Sequence, residues 1–103
     1  MKRVAYAGGS FLTGDTIADA LLDYAAVLAR AGQADRVTVP GIGADDRVTE
    51  FDMVVGPASQ LIAEAVELAG EELDAPDFVA DLEVRARRAR AGRIGEPGPY
   101  DGA

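Results

Sequence analysis

Hydrophobic and polar positions repeat with two different periods along this chain, and the changes of period divide it into elements. Residues 4–7 and 10–12 are short apolar or aromatic runs separated by Gly8-Gly9. A glycine pair there supplies the positive φ angles of a tight turn, so a first hairpin turning at Gly8-Gly9 is predicted. From Asp15 to Ala31 the period lengthens. Ile17, Leu21, Leu22, Ala25, Leu28 and Ala29 recur at three- and four-residue steps, while Asp19, Asp23, Val27 and Arg30 point elsewhere. This spacing predicts an amphipathic helix. Thr13, Asp15 and Thr16 are candidate caps at its start, and Gly32 stands just past its end.

Period two returns at Arg36–Pro40 and at Arg47–Val55. In the second run Thr49, Phe51, Met53 and Val55 share one face, and Glu50 and Asp52 take the other. With the turn-rich 41–46 between them, these runs predict a second hairpin with a somewhat long loop. Pro40 is expected at the strand's end, where its missing N–H costs least. Residues 58–69, bounded by Pro57 and Gly70, fit a helix face and also a further strand. Asp74 or Asp77 is a candidate cap for a final helix running to about Ala91, with Phe78, Val79, Leu82 and Ala86 as its apolar stripe. Residues 92–103 contain four glycines and two prolines and no period, the pattern of a flexible tail.

The predicted fold class is therefore α+β. A small antiparallel sheet from two hairpins, with a fifth strand if 58–69 is extended, packs against an amphipathic helix and a C-terminal helix. Residues 1–91 form a single compact domain and 92–103 the tail. In so small a domain the second face and the edges of the sheet need cover, which a homodimer would supply.

The stretches "YAGGSFLTGD" (6–15) and "VVGPASQLIAE" (54–64), the element order and the overall length together resemble small uncharacterised α+β proteins of GC-rich bacteria. The resemblance implies the fold and no particular activity, so no functional residue is carried over from it. A bias towards Ala, Gly and Arg, with nine arginines against one lysine, fits such a genome.

Composition narrows the chemistry. Cysteine, histidine and tryptophan are absent, and so is asparagine. Disulfides, thiolate sites and Ser-His or Cys-His catalysis are thereby excluded. No apolar run approaches the ~18 residues of a membrane span, and the N-terminus lacks an export-like apolar stretch, so a cytoplasmic location is expected. The net charge is −8. It is unevenly placed, with −11 in residues 1–84 and +3 in 85–103. An acidic body disfavours nucleic acid and suits a basic partner.

Three local features invite a chemical reading. Gly8-Gly9 lacks the lysine of a Walker loop and the spacing of a dinucleotide fingerprint, and it reads as a turn. Ser59 follows a strand in Gly56-Pro57-Ala58-Ser59-Gln60 but has neither the flanking glycines nor a base of a nucleophile elbow, and it reads as a turn or cap residue. The carboxylate clusters Asp45-Asp46 and Glu71-Glu72-Asp74 lack the spacing of a calcium loop. The arginines Arg85, Arg87, Arg88, Arg90 and Arg93 suit ion pairs with Asp77, Asp81 and Glu83 one turn earlier.

These readings converge on a non-enzymatic protein–protein interaction or regulatory module that needs no cofactor. A specific version is an immunity- or antitoxin-like neutraliser of a basic partner. Its candidate contact residues are Asp45, Asp46, Glu50, Asp52, Arg85, Arg87 and Arg88. The alternative is a small-molecule or divalent-metal-binding domain using surface carboxylates, with catalytic and metal-ligating residues unassigned.

Overall fold

The computed structural model describes residues 1–67 and 71–93. The elements run β1 (Lys2–Tyr6), β2 (Gly9–Thr13), α1 (Asp15–Ala31), β3 (Asp35–Ile42), β4 (Val48–Val55), β5 (Leu61–Ala65) and α2 (Pro76–Arg93). The chain is α+β as its periodicity predicts. Its five strands form one antiparallel sheet in the order β4-β3-β2-β1-β5. Segment 58–69, which the sequence left between helix and strand, supplies the fifth strand at 61–65. Its good helix formers yield to the free edge of β1, where pairing Ala63 with Val4 satisfies both backbones. Of the tail expected at 92–103, Gly92 and Arg93 belong to α2, and residues 94–103 lie outside the described residues.

Both hairpins form, with turns that differ from expectation. Tyr6 pairs with Gly9, so the first turn is Ala7-Gly8 rather than Gly8-Gly9. Ala7 and Gly8 take φ of 43° and 84°, the two left-handed positions of the turn whose twist matches a hairpin. In the second hairpin the strands continue to Ile42 and Val48, and Gly43 N–H donates to the Arg47 carbonyl at 3.2 Å. The loop is thus only 44–46, with Asp46 left-handed at φ 62° and Arg47 N–H bonded to the Asp45 carboxylate. Pro40 lies inside β3, not at its end.

That proline reports how the sheet is built. In an antiparallel ladder the backbone groups of alternate residues turn to opposite sides. The bond from Gly43 to Arg47 directs the odd residues of β3 towards β4, so the even residues face β2. But β2 pairs with β3 only around Leu12 and Ile42. Beyond it, the Thr13 hydroxyl donates to the Pro40 carbonyl at 2.8 Å, Pro40 has no N–H to satisfy, and Arg85 donates to the Arg36 carbonyl at 3.2 Å. The β3–β4 hairpin therefore crosses beyond the end of β2. Its other end returns to the opposite edge of the sheet: residues 56–60 link β4 directly to β5. A flat five-stranded sheet would set those edges about 19 Å apart, close to the roughly 20 Å full reach of that link, before the offset of the hairpin is counted. The sheet must curl, and it does: Tyr6 and Leu61 line one cleft with Met53 and Val54.

The concave side holds the core. Val4, Phe11, Val37, Val39, Met53 and Val55 meet Ile17, Leu21, Val27 and Leu28 of α1. Val27, expected outside, is 3 % exposed. Phe11 stacks on Phe51 with ring centres 4.6 Å apart, across β3. Gly41 lies beneath them, and a Cβ there would come within 2.7 Å of the Phe11 ring. α2 lies against α1 through Leu82, Ala86 and Ala89. It starts with Pro76 in its first turn, so Asp77 is already helical and Asp74 stands outside.

No side chain of α1's own caps it. Its N-cap is Gly14, and the Glu72 carboxylate accepts the Asp15 N–H from 57 residues away. The 71–75 segment passes so close that a Cβ on Gly14 would overlap the Leu73 carbonyl. The same Glu72 carboxylate lies 2.8 Å from the Met1 ammonium, which also pairs with Asp15 at 3.0 Å. The ammonium first, and the Asp15 N–H second, hold the Glu72 carboxyl below its usual range. Among the described residues no helix is long and apolar enough to cross a membrane.

Candidate interaction surface

Both helices lie on one side of the sheet, which leaves the other side open. Strand alternation assigns its residues: Arg3 and Ala5 from β1, Leu12 from β2, Arg36, Thr38, Pro40 and Ile42 from β3, Val48, Glu50, Asp52 and Val54 from β4, and Ile62 and Glu64 from β5. Val48, Val54 and Ile62 are 63, 68 and 67 % exposed, the large hydrophobic side chains most open to water among the described residues. Leu12, Pro40 and Ile42 are half-buried between them.

The polar groups of this face are ordered. Thr38 donates to Asp52 Oδ1 at 2.6 Å, and Arg36 approaches Asp52 Oδ2 at 3.2 Å. The Thr38 hydroxyl and then Arg36 hold the Asp52 carboxyl below its usual range. Arg3 pairs loosely with Glu64 at 3.5 Å. Glu50 has no ion-pair partner among the described residues, and it stands opposite Pro40. Asp45 and Asp46 extend the acidic strip into the β3–β4 loop.

The candidate residues thus separate into two groups. Asp45, Asp46, Glu50 and Asp52 share the β3–β4 hairpin, whereas Arg85, Arg87 and Arg88 lie in the helical layer. Arg85 is a tie between elements: it reaches Asp35 Oδ2 at 3.0 Å and Asp81 at 2.9 Å. Arg87 lines the groove between α1 and α2 with Asp19, Asp23 and Glu83. Arg88 borders a smaller hollow beside Tyr24 and Gln33. Of the ion pairs expected within α2, Arg85–Asp81 is formed.

Tyr24 and Asp35 complete that tie. The Tyr24 hydroxyl donates to Asp35 Oδ2 at 2.6 Å, and the Arg36 N–H donates to Oδ1 at 2.8 Å. Burial pushes the Asp35 carboxyl up, but the Tyr24 hydroxyl, the Arg36 N–H and Arg85 outweigh it and hold the group below its usual range. Burial first, and the bond to Asp35 second, push the Tyr24 phenol up to about 12. The Tyr24 hydroxyl, the Arg36 N–H and Arg85 all converge on Asp35, which is the arrangement of a structural joint.

The groups set aside in the sequence have ordinary roles. Ser59 Oγ accepts the Gly56 N–H at 2.9 Å and closes the 56–59 turn. Gly8-Gly9 leads into a strand, with no helix N-terminus to receive an anion. Among the described residues no three carboxylates converge as a metal would need. The apolar members of the open face, Val48, Val54 and Ile62, were missed as surface residues. The alternation of 48–55 carries the signal for the two valines, since it puts them in phase with Glu50 and Asp52. No family model, curated protein or solved structure matches the chain.

Proposed function

We propose that this chain is a non-enzymatic protein–protein interaction module of the cytoplasm, acting through the open face of its sheet on a basic protein partner. The observation that carries the reading is the exposure of Val48, Val54 and Ile62 on a face whose other apolar residues are half-buried and whose Asp52 is already held by Thr38 and Arg36. Scattered apolar residues are common on surfaces, but Val48 and Val54 flank the acidic pair Glu50 and Asp52 along one edge strand, and Ile62 repeats the exposure on the other edge strand of the same face. The net charge of −8 favours a basic counterpart and rapid, salt-dependent encounter.

Site-specific photo-crosslinking in cells tests this. A photoreactive side chain replaces Thr38, at the centre of the open face, or Glu83, on the helical side. The expected result is a discrete adduct from position 38 with a basic protein and none from position 83. Adducts from 83 alone, or equal labelling from both, would overturn the reading.

A further inference from the structure

We infer that the outer edge of β4 accepts an extended basic segment of the partner as a sixth strand; this rests on the interaction reading above and specifies its mode. β4 ends the sheet and is strand-paired with β3 only, so one side of its backbone is unpaired. Which groups face outwards follows from the ladder. Because Gly43 and Arg47 are joined by a hydrogen bond, the odd residues of β4 bond to β3. The N–H and C=O groups of Val48, Glu50, Asp52 and Val54 therefore point to the free edge. These same four residues carry their side chains on the open face.

An antiparallel strand added here would place its own alternate side chains directly opposite those four. The edge reads apolar, acidic, acidic, apolar. Its complement is apolar, basic, basic, apolar, a pattern that is the same in either chain direction. At the Val54 end the edge runs into a cleft of about 310 Å3 lined by Met53, Leu61 and Tyr6, which has room for one of the intervening side chains of the segment, those turned to the concave face. A second copy of this chain is the poorer occupant. The register that pairs all four residues would set Glu50 opposite the second copy's Asp52 on both sides of the two-fold axis, and like charges so placed repel.

The test uses the full chain labelled with 15N and a capped synthetic peptide, Thr-Val-Thr-Arg-Thr-Arg-Thr-Val-Thr, with a control in which glutamates replace the arginines. Amide hydrogen exchange is followed with each. The arginine peptide is expected to bind more tightly as salt is lowered. It should slow exchange at Val48, Glu50, Asp52 and Val54, whose N–H groups gain partners. Glu50→Arg, an exposed substitution, should weaken binding about fivefold. Equal binding of both peptides, no binding, or protection confined to β5 or the helices overturns the inference. So does protection of β4 that grows with protein concentration in the absence of peptide, which would identify the second copy as occupant. Loss of peptide binding with retained crosslinking from position 38 would remove the added strand and leave the interaction reading standing.

Discussion

Single residues set the cost of the first turn. Ala7 occupies a left-handed position at φ 43°, where its Cβ crowds the following carbonyl by about 1 kcal/mol. Asparagine accepts this conformation more readily, and Asn-Gly is the favoured pair for such a turn. Ala7→Asn is therefore expected to stabilise the fold by about 0.5–1 kcal/mol, read as a rise of a few degrees in the thermal midpoint. An unchanged or lower midpoint would show that the turn is held by its surroundings rather than by its own backbone preference. Reading the sequence placed the turn one residue late. Gly8-Gly9 looks like a turn in isolation, but the register that buries Val4 beside Phe11 requires Tyr6 to face Gly9.

At the scale of elements, α1 was legible from end to end. Its 15–31 periodicity and the Gly32 stop both appear in the structure, because the apolar spacing of a helix is local. Its cap was not legible. Thr13 turns its hydroxyl to β3 instead, and the capping carboxylate comes from Glu72. Replacing Glu72 by Gln should speed hydrogen exchange in the first turn of α1 and leave its last turn unchanged. The same bond makes the helix start acid-sensitive. A carboxyl whose folded pKa lies below its ordinary value of 4.5 adds stability above that value. The contribution is lost as pH falls through the lower folded value. The protection of the first turn, taken relative to the intrinsic exchange rate at each pH, should thus fall on acidification in the wild type and stay flat in Glu72→Gln.

Over the whole molecule, the joint of Tyr24, Asp35 and Arg85 ties α1, β3 and α2 together. Its pH dependence has two limbs. Asp35, depressed below 3.8, contributes above that pH and loses its contribution as pH falls through its folded value. Tyr24, raised from 10.0 to about 12, contributes fully below pH 10 and loses its contribution as pH rises through about 12. Tyr24→Phe should destabilise by about 1 kcal/mol at neutral pH, since one bond to a partly exposed carboxylate is lost. Denaturant titrations should also show a weaker fall in stability between pH 10 and 12 for the variant. A variant as stable as wild type would show that the Tyr24–Asp35 bond adds nothing to the packing of α1 on the sheet.

Sequence alone determined the fold class, both hairpins and both helices, because each rests on a periodicity read within a few turns or a few strand residues. It also placed Glu50 and Asp52 on one face. Tertiary structure decided the rest. Whether 61–65 became strand depended on a vacant edge of β1, a partner some sixty residues away in the chain. Whether Val48, Val54 and Ile62 were core or surface depended on both helices settling on the same side of the sheet. Arg85 changed from a surface charge to a joint when α2 brought it to Asp35, 50 residues earlier. Local periodicity states which side chains share a face; only the packed chain states which face is left without cover.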